Sequence, residues 1–214
     1  MKKVIAVLSS ILLSGVVFTG CKKGEGDPAL SLHTRKGRLT GDWVLSEGKT
    51  TDTDNSPSTT TSTWSGTSVQ MTYVAGTVSQ TGTGTGSYKM SIVKDGTWTM
   101  DVNTTVTYSG PPSYVIITSE KSEGTWNWTG KVGELKNKSQ MVMAVLNRTT
   151  TTTDPTGTTT DIEAYTGGDA PTSINDIYQL KNKELIIKWD GTSLNTGAST
   201  GSSSSSGEMT FTKE

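Results

Sequence analysis

From Thr40 onward, apolar and polar residues alternate along much of the chain, and this period of two indicates strands with one buried face. The clearest stretch runs from Tyr88 to Tyr108, where nearly all apolar residues occupy even positions and Thr, Ser, Asn and Asp occupy odd ones. The dipeptide Asp95-Gly96 interrupts the pattern and favours a two-residue type I′ turn, because both residues tolerate positive φ. We predict a β-hairpin with one apolar and one polar face, as in an antiparallel sheet wetted on one side.

Ten shorter segments carry weaker strand patterns, and turn-forming residues separate them. No interval between them is long enough for the crossover helix that parallel strands require, so the expected fold is an all-β antiparallel meander. Such a sheet removes its exposed edges best by closing into a barrel. The predicted strands are 43–46, 59–64, 68–74, 114–119, 125–129, 140–148, 158–165, 177–180, 185–189 and 209–212. The predicted turns include Pro111-Pro112, Ser122-Glu123-Gly124, Lys136-Asn137-Lys138 and Lys181-Asn182-Lys183.

Threonine and serine account for 40 and 26 of the 214 residues, and they concentrate in a few stretches. Thr149–Thr160 surrounds the turn sequence Asp-Pro-Thr-Gly, which predicts a protruding hairpin with Thr-rich arms. Thr50–Thr63 has a similar arrangement and predicts a second such hairpin. The Gly-rich stretches Gly76–Gly86 and Gly191–Gly207 are expected to form mobile loops.

The N-terminus has the pattern of an export signal. Two lysines precede an apolar stretch, Val4–Phe18, which is shorter than the roughly 18 residues that a membrane-spanning helix needs. The stretch ends in Phe18-Thr19-Gly20-Cys21, which resembles a bacterial lipobox with Phe in the place where Leu is usual. Residues 1–20 are therefore predicted to be a lipoprotein signal peptide.

The lipobox resemblance implies that Cys21, the only cysteine, becomes the first residue of the mature chain and carries a diacylglyceryl thioether and an amide-linked acyl chain such as palmitate. More than one acyl chain makes membrane anchoring stable. Lys22, in place of an Asp after the cysteine, implies the outer membrane, and the membrane face stays open. Residues 21–35 are then the acylated tether, and helical spacing within 28–39 predicts a short helix before the first strand.

Composition excludes several classes of function. A formal net charge of −1 lacks the basic footprint of a nucleic-acid-binding protein. A single Cys excludes a disulfide framework and a thiolate metal cluster, and a single His, His33, excludes most zinc and catalytic-triad chemistry. We therefore expect no metal, no cofactor and no catalytic residues, so the protein is predicted not to be an enzyme. A pair of carboxylates that meet only in space stays open.

Tryptophan and methionine are the remaining residue types that could form a binding site. The candidate ligand-lining residues share the apolar parity of their strands, and they are Tyr88, Met90, Trp98, Met100, Trp126 and Trp128. Plain core packing is one explanation for them. A cavity is another, because Met and Trp together make an adaptable apolar wall. A third is an exposed Trp platform for sugar stacking, since Trp126 and Trp128 share one face of a strand.

Four short motifs occur in order and together resemble the lipocalin-like domain of bacterial lipoproteins. They are Leu39-Thr40-Gly41-Asp42-Trp43, Lys94-Asp95-Gly96-Thr97-Trp98, Gly124-Thr125-Trp126-Asn127-Trp128 and Leu180-Lys181-Asn182-Lys183-Glu184-Leu185. The resemblance covers residues 36–214 and implies a lipocalin-like β-barrel, with Trp43 beside Gly41 closing one end. No second lipocalin motif is evident, and the last arginine is Arg148, so the resemblance supplies no Arg to stack on Trp43.

The leading expectation is a lipid-anchored cell-envelope protein of the outer membrane, whose barrel binds a small apolar molecule without catalysis. The partners expected are the membrane, through lipidated Cys21, and this ligand, with no nucleic acid. The alternative is a surface or adhesion module that contacts glycan or protein through its Thr-rich hairpins and exposed Trp. The ligand, the membrane face and the oligomeric state are not specified by the sequence.

Overall fold

The computed structural model describes residues 27–28, 33–54, 58–110, 112–130, 139–196 and 200–214. It is all-β, as predicted, and its eleven strands form one antiparallel sheet. Among the described residues, one short helix, α1 (Arg35–Leu39), precedes the sheet, and a 3-10 turn lies at Gly167–Asp169. The strands are β1 (Gly41–Thr53), β2 (Ser58–Ser65), β3 (Ser68–Ala75), β4 (Val78–Ile92), β5 (Thr97–Tyr108), β6 (Tyr114–Trp128), β7 (Gln140–Asp154), β8 (Gly157–Ala164), β9 (Thr172–Leu180), β10 (Glu184–Thr196) and β11 (Thr200–Lys213).

Eight of the strands pair in a closed ring. The order is β1-β4-β5-β6-β7-β9-β10-β11 and back to β1, because β4 pairs with β1 and β6 pairs with β7 in addition to the linear order of the sheet. The β1–β4 seam is short, from Gly41 opposite Ile92 to Val44 opposite Lys89. Beyond it, β2 and β3 lie between β1 and β4, and β8 extends β7 outside the ring. We call the end where β1, β5, β7 and β10 begin the closed end, and the opposite end the far end.

The predicted hairpin within Tyr88–Tyr108 is confirmed. Met90 lies opposite Met100 and Ile92 opposite Trp98, so the even positions face the inside of the ring. The connection spans four residues, 93–96, and is longer than the two-residue turn that Asp95-Gly96 predicts. The Asp95 carboxylate accepts hydrogen bonds from the backbone N–H and the hydroxyl of Thr97, which fixes the longer loop.

The Gly-rich stretches predicted to be loops are strands for most of their length, and this is a correction. β4 begins at Val78 and pairs with β3 through Thr85, while β10 and β11 pair from Glu184 opposite Thr212 to Thr196 opposite Thr200. Residues 197–199 lie outside the described residues. Backbone pairing does not need apolar side chains, and a partner strand on each side satisfies the ladder. The two Thr-rich hairpins, β1–β2 and β7–β8, are confirmed.

The predicted turn at Ser122-Glu123-Gly124 is wrong, because these residues lie inside β6, which runs without a break from Tyr114 to Trp128. Gly124 is there for close packing. A Cβ at this position would overlap the carbonyl oxygen of Ala144 on β7 and lie 3.0 Å from Nε1 of Trp98. The glycine therefore lets the Trp98 indole reach across β6 and donate to the carbonyl oxygens of Thr125 and Ala144.

Three buried or half-buried tryptophans pair with glycines in this way. Trp98 lies opposite Gly124 and Trp189 opposite Gly207, and the ring of Trp64 on β2 lies against Gly86 on β4. A glycine leaves room for an indole to lie over the neighbouring backbone, and such aromatic cover compensates for the weak strand preference of glycine.

The apolar core fills the closed end. Its buried residues are Leu39, Trp43, Leu45, Met90, Ile92, Trp98, Trp126, Met141, Met143, Ile177, Leu180, Leu185, Ile187, Met209 and Phe211, with Trp64, Val69 and Val106 further toward the far end. α1 begins at the N-cap Thr34, whose hydroxyl accepts from the N–H of Gly37, and its Leu39 is fully buried. The helix therefore packs over the closed end, within the 28–39 interval that the sequence predicts.

The buried carboxylate of Asp27 holds the segment before α1 at the closed end. Asp27 forms ion pairs with Arg35 and Arg38, and its Oδ1 accepts from the N–H of Leu180 at 2.8 Å. Arg35 also donates to the carbonyl oxygen of Ile177. Burial, and then the charge of Arg38, lowers the pKa of Arg35 to about 10. The chain before the first strand is thus tied to β9 at the closed end.

Candidate functional site

The inside of the ring is not filled toward the far end, and a cavity of about 640 Å³ lies there. Small-molecule sites in proteins usually measure about 300–1,000 Å³. The residues that line it are Tyr88, Met90, Trp98, Met100, Met143, Val145, Arg148, Thr172, Ser173, Ile174, Asn175, Ile187, Trp189, Asp190, Gly191, Ser203, Ser205 and Met209.

The cavity exists because residue size falls along the strands that surround it. At the closed end, β11 presents Phe211 and Met209 to the inside, while further along the same face it presents Gly207, Ser205 and Ser203. The indole of Trp189 covers Gly207 and donates from Nε1 to the Ser205 hydroxyl at 3.0 Å. Small polar residues cannot fill the space that large apolar ones fill at the closed end.

The cavity opens sideways between β9 and β10. These strands pair only from Leu185 opposite Leu180 to Lys188 opposite Asp176. Beyond that point β9 continues to pair with β7, through Ala144 opposite Thr172, whereas β10 stays with β11. The strands therefore diverge, and the rim of the gap consists of residues 172–175 on one side and 189–191 on the other.

Arg148 belongs to the polar part of the wall, and it contacts two carboxylates, those of Glu120 and Glu163, that lie beside the cavity and are not among its lining residues. Nε of Arg148 lies 3.5 Å from Oε1 of Glu120, and its Nη1 donates to Oε2 of Glu163 at 3.4 Å. Nε is buried and makes no hydrogen bond with the described residues. The Ser122 hydroxyl donates to the same Glu120 carboxylate at 3.0 Å. One guanidinium thus faces two carboxylates.

Tyr88 connects this polar group to the aromatic wall. Its ring lies edge-on to Phe211, with centroids 5.4 Å apart, and edge-on to Trp64 at 6.5 Å. Burial, and then the nearby charge of Glu120, raises the pKa of the Tyr88 hydroxyl well above its usual value. The phenol therefore stays protonated at neutral pH and serves the cavity as an uncharged polar group.

A buried amide adds a second polar point near the gap. Asn175 is 7% exposed, and its Nδ2 donates to the Ser173 hydroxyl at 3.1 Å. Both residues line the cavity on the β9 side. The site is therefore apolar at its base and hydrogen-bonding near its opening, an arrangement that suits a molecule with one polar end.

The structure divides the six residues proposed from the sequence into two groups. Tyr88, Met90, Trp98 and Met100, all on the β4–β5 hairpin, line the cavity. Trp126 and Trp128 lie edge-on to each other at the closed end, 5.5 Å apart, and are not among the lining residues. Lys36 and Arg35 of α1 lie over their rings, at 5.6 and 5.9 Å from the centroids.

Sequence reasoning missed the walls that β7, β9, β10 and β11 contribute. Met143, Ile187 and Met209 follow the parity of their strands, and that parity was sufficient to find them. Parity alone could not predict that Arg148 faces the cavity, because the β6–β7 register shifts where Gly124 pairs with Val145 and Glu123 with Asn147. The shift moves the inner face of β7 from odd to even positions.

Trp43, predicted to close one end, is fully buried at the closed end beside Gly41. Its Nε1 donates to the carbonyl oxygen of Leu39 at 2.8 Å. Nζ of Lys213 lies 5.0 Å from the ring centroid and donates to the carbonyl oxygen of Arg38 at 2.8 Å. A lysine thus supplies the cation over this indole, for which the sequence offers no late arginine.

The described residues contain no group of three or more His, Cys, Asp and Glu side chains placed to hold a metal ion. His33 is exposed before α1. In the same part of the chain, no helix combines the length and the hydrophobicity needed to span a bilayer. Cys21 and the predicted signal peptide lie outside the described residues.

Comparison with protein-family models, with curated proteins and with solved structures found no match to this chain.

Proposed function

We propose that the chain is a lipid-anchored cell-envelope protein whose lipocalin-like β-barrel binds a small hydrophobic molecule without catalysis. The single observation that carries this proposal is the cavity of about 640 Å³ inside the ring of strands. Its base is apolar, with Met90, Trp98, Met143, Ile187 and Met209 among the lining residues. Rings of about eight strands either fill with side chains or hold one small ligand.

The attachment of the N-terminal segment supports the anchoring part of the proposal. Asp27 is held at the closed end, six residues after Cys21, and the gap between β9 and β10 lies away from that end. A lipid on Cys21 would therefore hold the closed end toward the membrane. This part is tested by replacing Cys21 with Ser and fractionating the cells, and an unchanged membrane pellet would reject it.

The alternative of a surface module that uses exposed Trp has less support. All six tryptophans are described, and each is buried or half-buried. Of the Thr-rich hairpins, β8 is exposed along its whole length, whereas most of β2 is buried or half-buried. The exposed threonines are the part of this alternative that a binding test addresses.

Binding is measured with the chain from Lys22 onward, which retains every contact described above. The uncharged dye N-phenyl-1-naphthylamine is titrated, and its emission and that of tryptophan are followed, with a soluble glycan panel alongside. We expect saturable binding of the dye. Val145→Phe, which enlarges a cavity-lining side chain, should weaken binding at least tenfold, whereas Val115→Phe on the exposed outer face of β6 should not. No saturable signal from the dye, together with a response to glycans, would favour the alternative.

A further inference from the structure

We propose that the cavity selects amphiphiles with a positively charged head, that is, hydrophobic amines, over carboxylates of the same chain length. This inference rests on the proposed ligand-binding function and names the chemical class of its ligand. Four observations support it: the charge of the polar wall, the engagement of its arginine, the aromatic lining and the state of Tyr88.

The polar wall has an excess of negative charge. Among the described residues that line the cavity, Arg148 is the only basic one and Asp190 is acidic. Arg148 also lies within 4.0 Å of two carboxylates beside the cavity, those of Glu120 and Glu163. Arg148, Asp190, Glu120 and Glu163 together carry a formal charge of −2. A further carboxylate brought there by a ligand would be repelled.

The arginine is already engaged on both sides. To bind a ligand carboxylate, the Arg148 guanidinium would have to leave Glu120 or Glu163, and the displaced carboxylate would stay beside the cavity without its partner. A carboxylate left without its partner in a partly buried site is unfavourable. An ammonium instead adds a second cation to two carboxylates and leaves the existing contacts in place.

The aromatic lining favours the same class. Tyr88, Trp98 and Trp189 all border the cavity. Ring faces attract cations, and ammonium groups in particular, when the site is shielded from water. The polarizable thioethers of Met90, Met100, Met143 and Met209 complete a wall that adapts to the apolar part of such a ligand.

Tyr88 lies near the Glu120 carboxylate. Its hydroxyl is buried, and the Glu120 charge adds to burial in disfavouring the phenolate. A neutral phenol beside a carboxylate offers a polar contact to a ligand head without adding a positive charge that would hold an anion.

The test is a competition among three probes of one chain length. Decyltrimethylammonium, decanol and decanoate, each below its micelle concentration, displace N-phenyl-1-naphthylamine from the chain beginning at Lys22. We expect decyltrimethylammonium to displace the dye at a concentration at least tenfold lower than decanoate, with decanol between them. Raising the salt concentration should reduce the difference between the displacing concentrations of the ammonium and the carboxylate, because part of the attraction acts through solvent.

Two variants locate the effect. The double variant Glu120→Gln/Glu163→Gln should reduce the gap between the ammonium and the carboxylate to less than threefold, because it removes both negative charges and leaves Arg148. Glu123→Gln is the matched control, since Glu123 is on β6 but faces outward, where it accepts from Nδ2 of Asn147. Circular dichroism checks that each variant is folded.

Two outcomes overturn the inference while leaving the proposed function intact. One is displacement of the dye by decanoate at the same or a lower concentration than the ammonium. The other is a difference between the ammonium and the carboxylate that the double variant does not change. If the dye itself does not bind, the proposed function fails and this inference fails with it.

Discussion

Side chains alternate between the inside and the outside of the ring in both halves of the sheet, but the two halves are stabilised in different ways. At the closed end, the inner positions hold large apolar residues, and Trp43, Leu180, Leu185 and Phe211 are fully buried. Toward the far end, many inner positions hold Gly, Ser or Thr, as at Gly82, Gly84 and Gly86 on β4. The closed end is therefore stabilised by packing, and the far end by backbone pairing with local side-chain contacts.

The far half shows how strands are held without a continuous apolar core. Threonines on neighbouring strands hydrogen-bond to each other, as in Thr72 with Thr81 at 3.2 Å and Thr153 with Thr158 at 2.9 Å. Cross-strand pairs of this kind contribute about 0.2–1 kcal/mol each. A half built in this way tolerates an open interior, which is why the cavity lies where it does.

The largest expected effect compares two tryptophans. Trp43→Ala should lower stability by about 3–5 kcal/mol, because the indole is packed on all sides and its removal leaves a cavity. Trp189→Ala should cost less than half as much, because Trp189 already borders an open space. Urea unfolding followed by circular dichroism measures both. Equal losses would mean that the two halves are packed alike, and an unchanged midpoint for Trp43→Ala would reject its closing role.

The next effect compares two glycines. Gly124→Ala should destabilise by about 1–3 kcal/mol, because its Cβ would overlap the Ala144 carbonyl and displace the Trp98 indole. Gly191→Ala is the matched control, since a Cβ at Gly191 meets no atom within 4 Å. Thermal unfolding of the two variants gives the difference. Similar melting temperatures would contradict the view that glycine in β6 serves close packing.

The smallest expected effect concerns two aspartates with the same local geometry. Asp95 and Asp154 each accept from the hydroxyl and the backbone N–H of the Thr two positions later, and these bonds lower the pKa of both carboxyls. A lowered folded-state pKa contributes stability that is complete above the unfolded value of about 3.9 and is lost as the pH falls through the folded value. Acid should therefore weaken both turns below about pH 4.

The two turns should nevertheless differ in what they affect. Asp95 closes the β4–β5 hairpin at the closed end, whereas Asp154 closes the β7–β8 hairpin, which extends outside the ring. Asp95→Asn should therefore reduce the acid dependence of global unfolding more than Asp154→Asn does. Urea midpoints at pH 5 and pH 2.5 make the comparison, and a larger effect from Asp154→Asn would contradict it.

The sequence predicts the parts of the fold that depend on local pattern. The all-β class, the Tyr88–Tyr108 hairpin and the Thr-rich hairpins follow from alternation and turn residues. The length of β4, β10 and β11 does not, because partner strands rather than side chains hold those Gly- and Ser-rich segments extended. Gly124 was mistaken for a turn residue, since the need for space beside Trp98 exists only in the folded sheet.

The site was predictable to the same extent. The cavity-lining hairpin was found because Tyr88, Met90, Trp98 and Met100 share one parity on adjacent strands. Trp126 and Trp128 share that parity too, but they lie nearer the closed end. The position of a residue between the two ends depends on the register between strands that are far apart in sequence. Arg148 and Glu120 meet only because a register shift turns Arg148 inward.

The seam between β1 and β11 has a consequence for the order of folding during synthesis. The ring is completed by the pairing of Gly41–Thr53 with Thr200–Lys213, strands separated by more than 140 residues of chain. Contacts of such long range slow folding, because a large loop must close before they form. A chain that emerges from its N-terminus can form the β1–β2 and β4–β5 hairpins early, but the edge of β1 that pairs with β11 stays unpaired until β11 follows. The ring therefore closes only after β11 has cleared the ribosome.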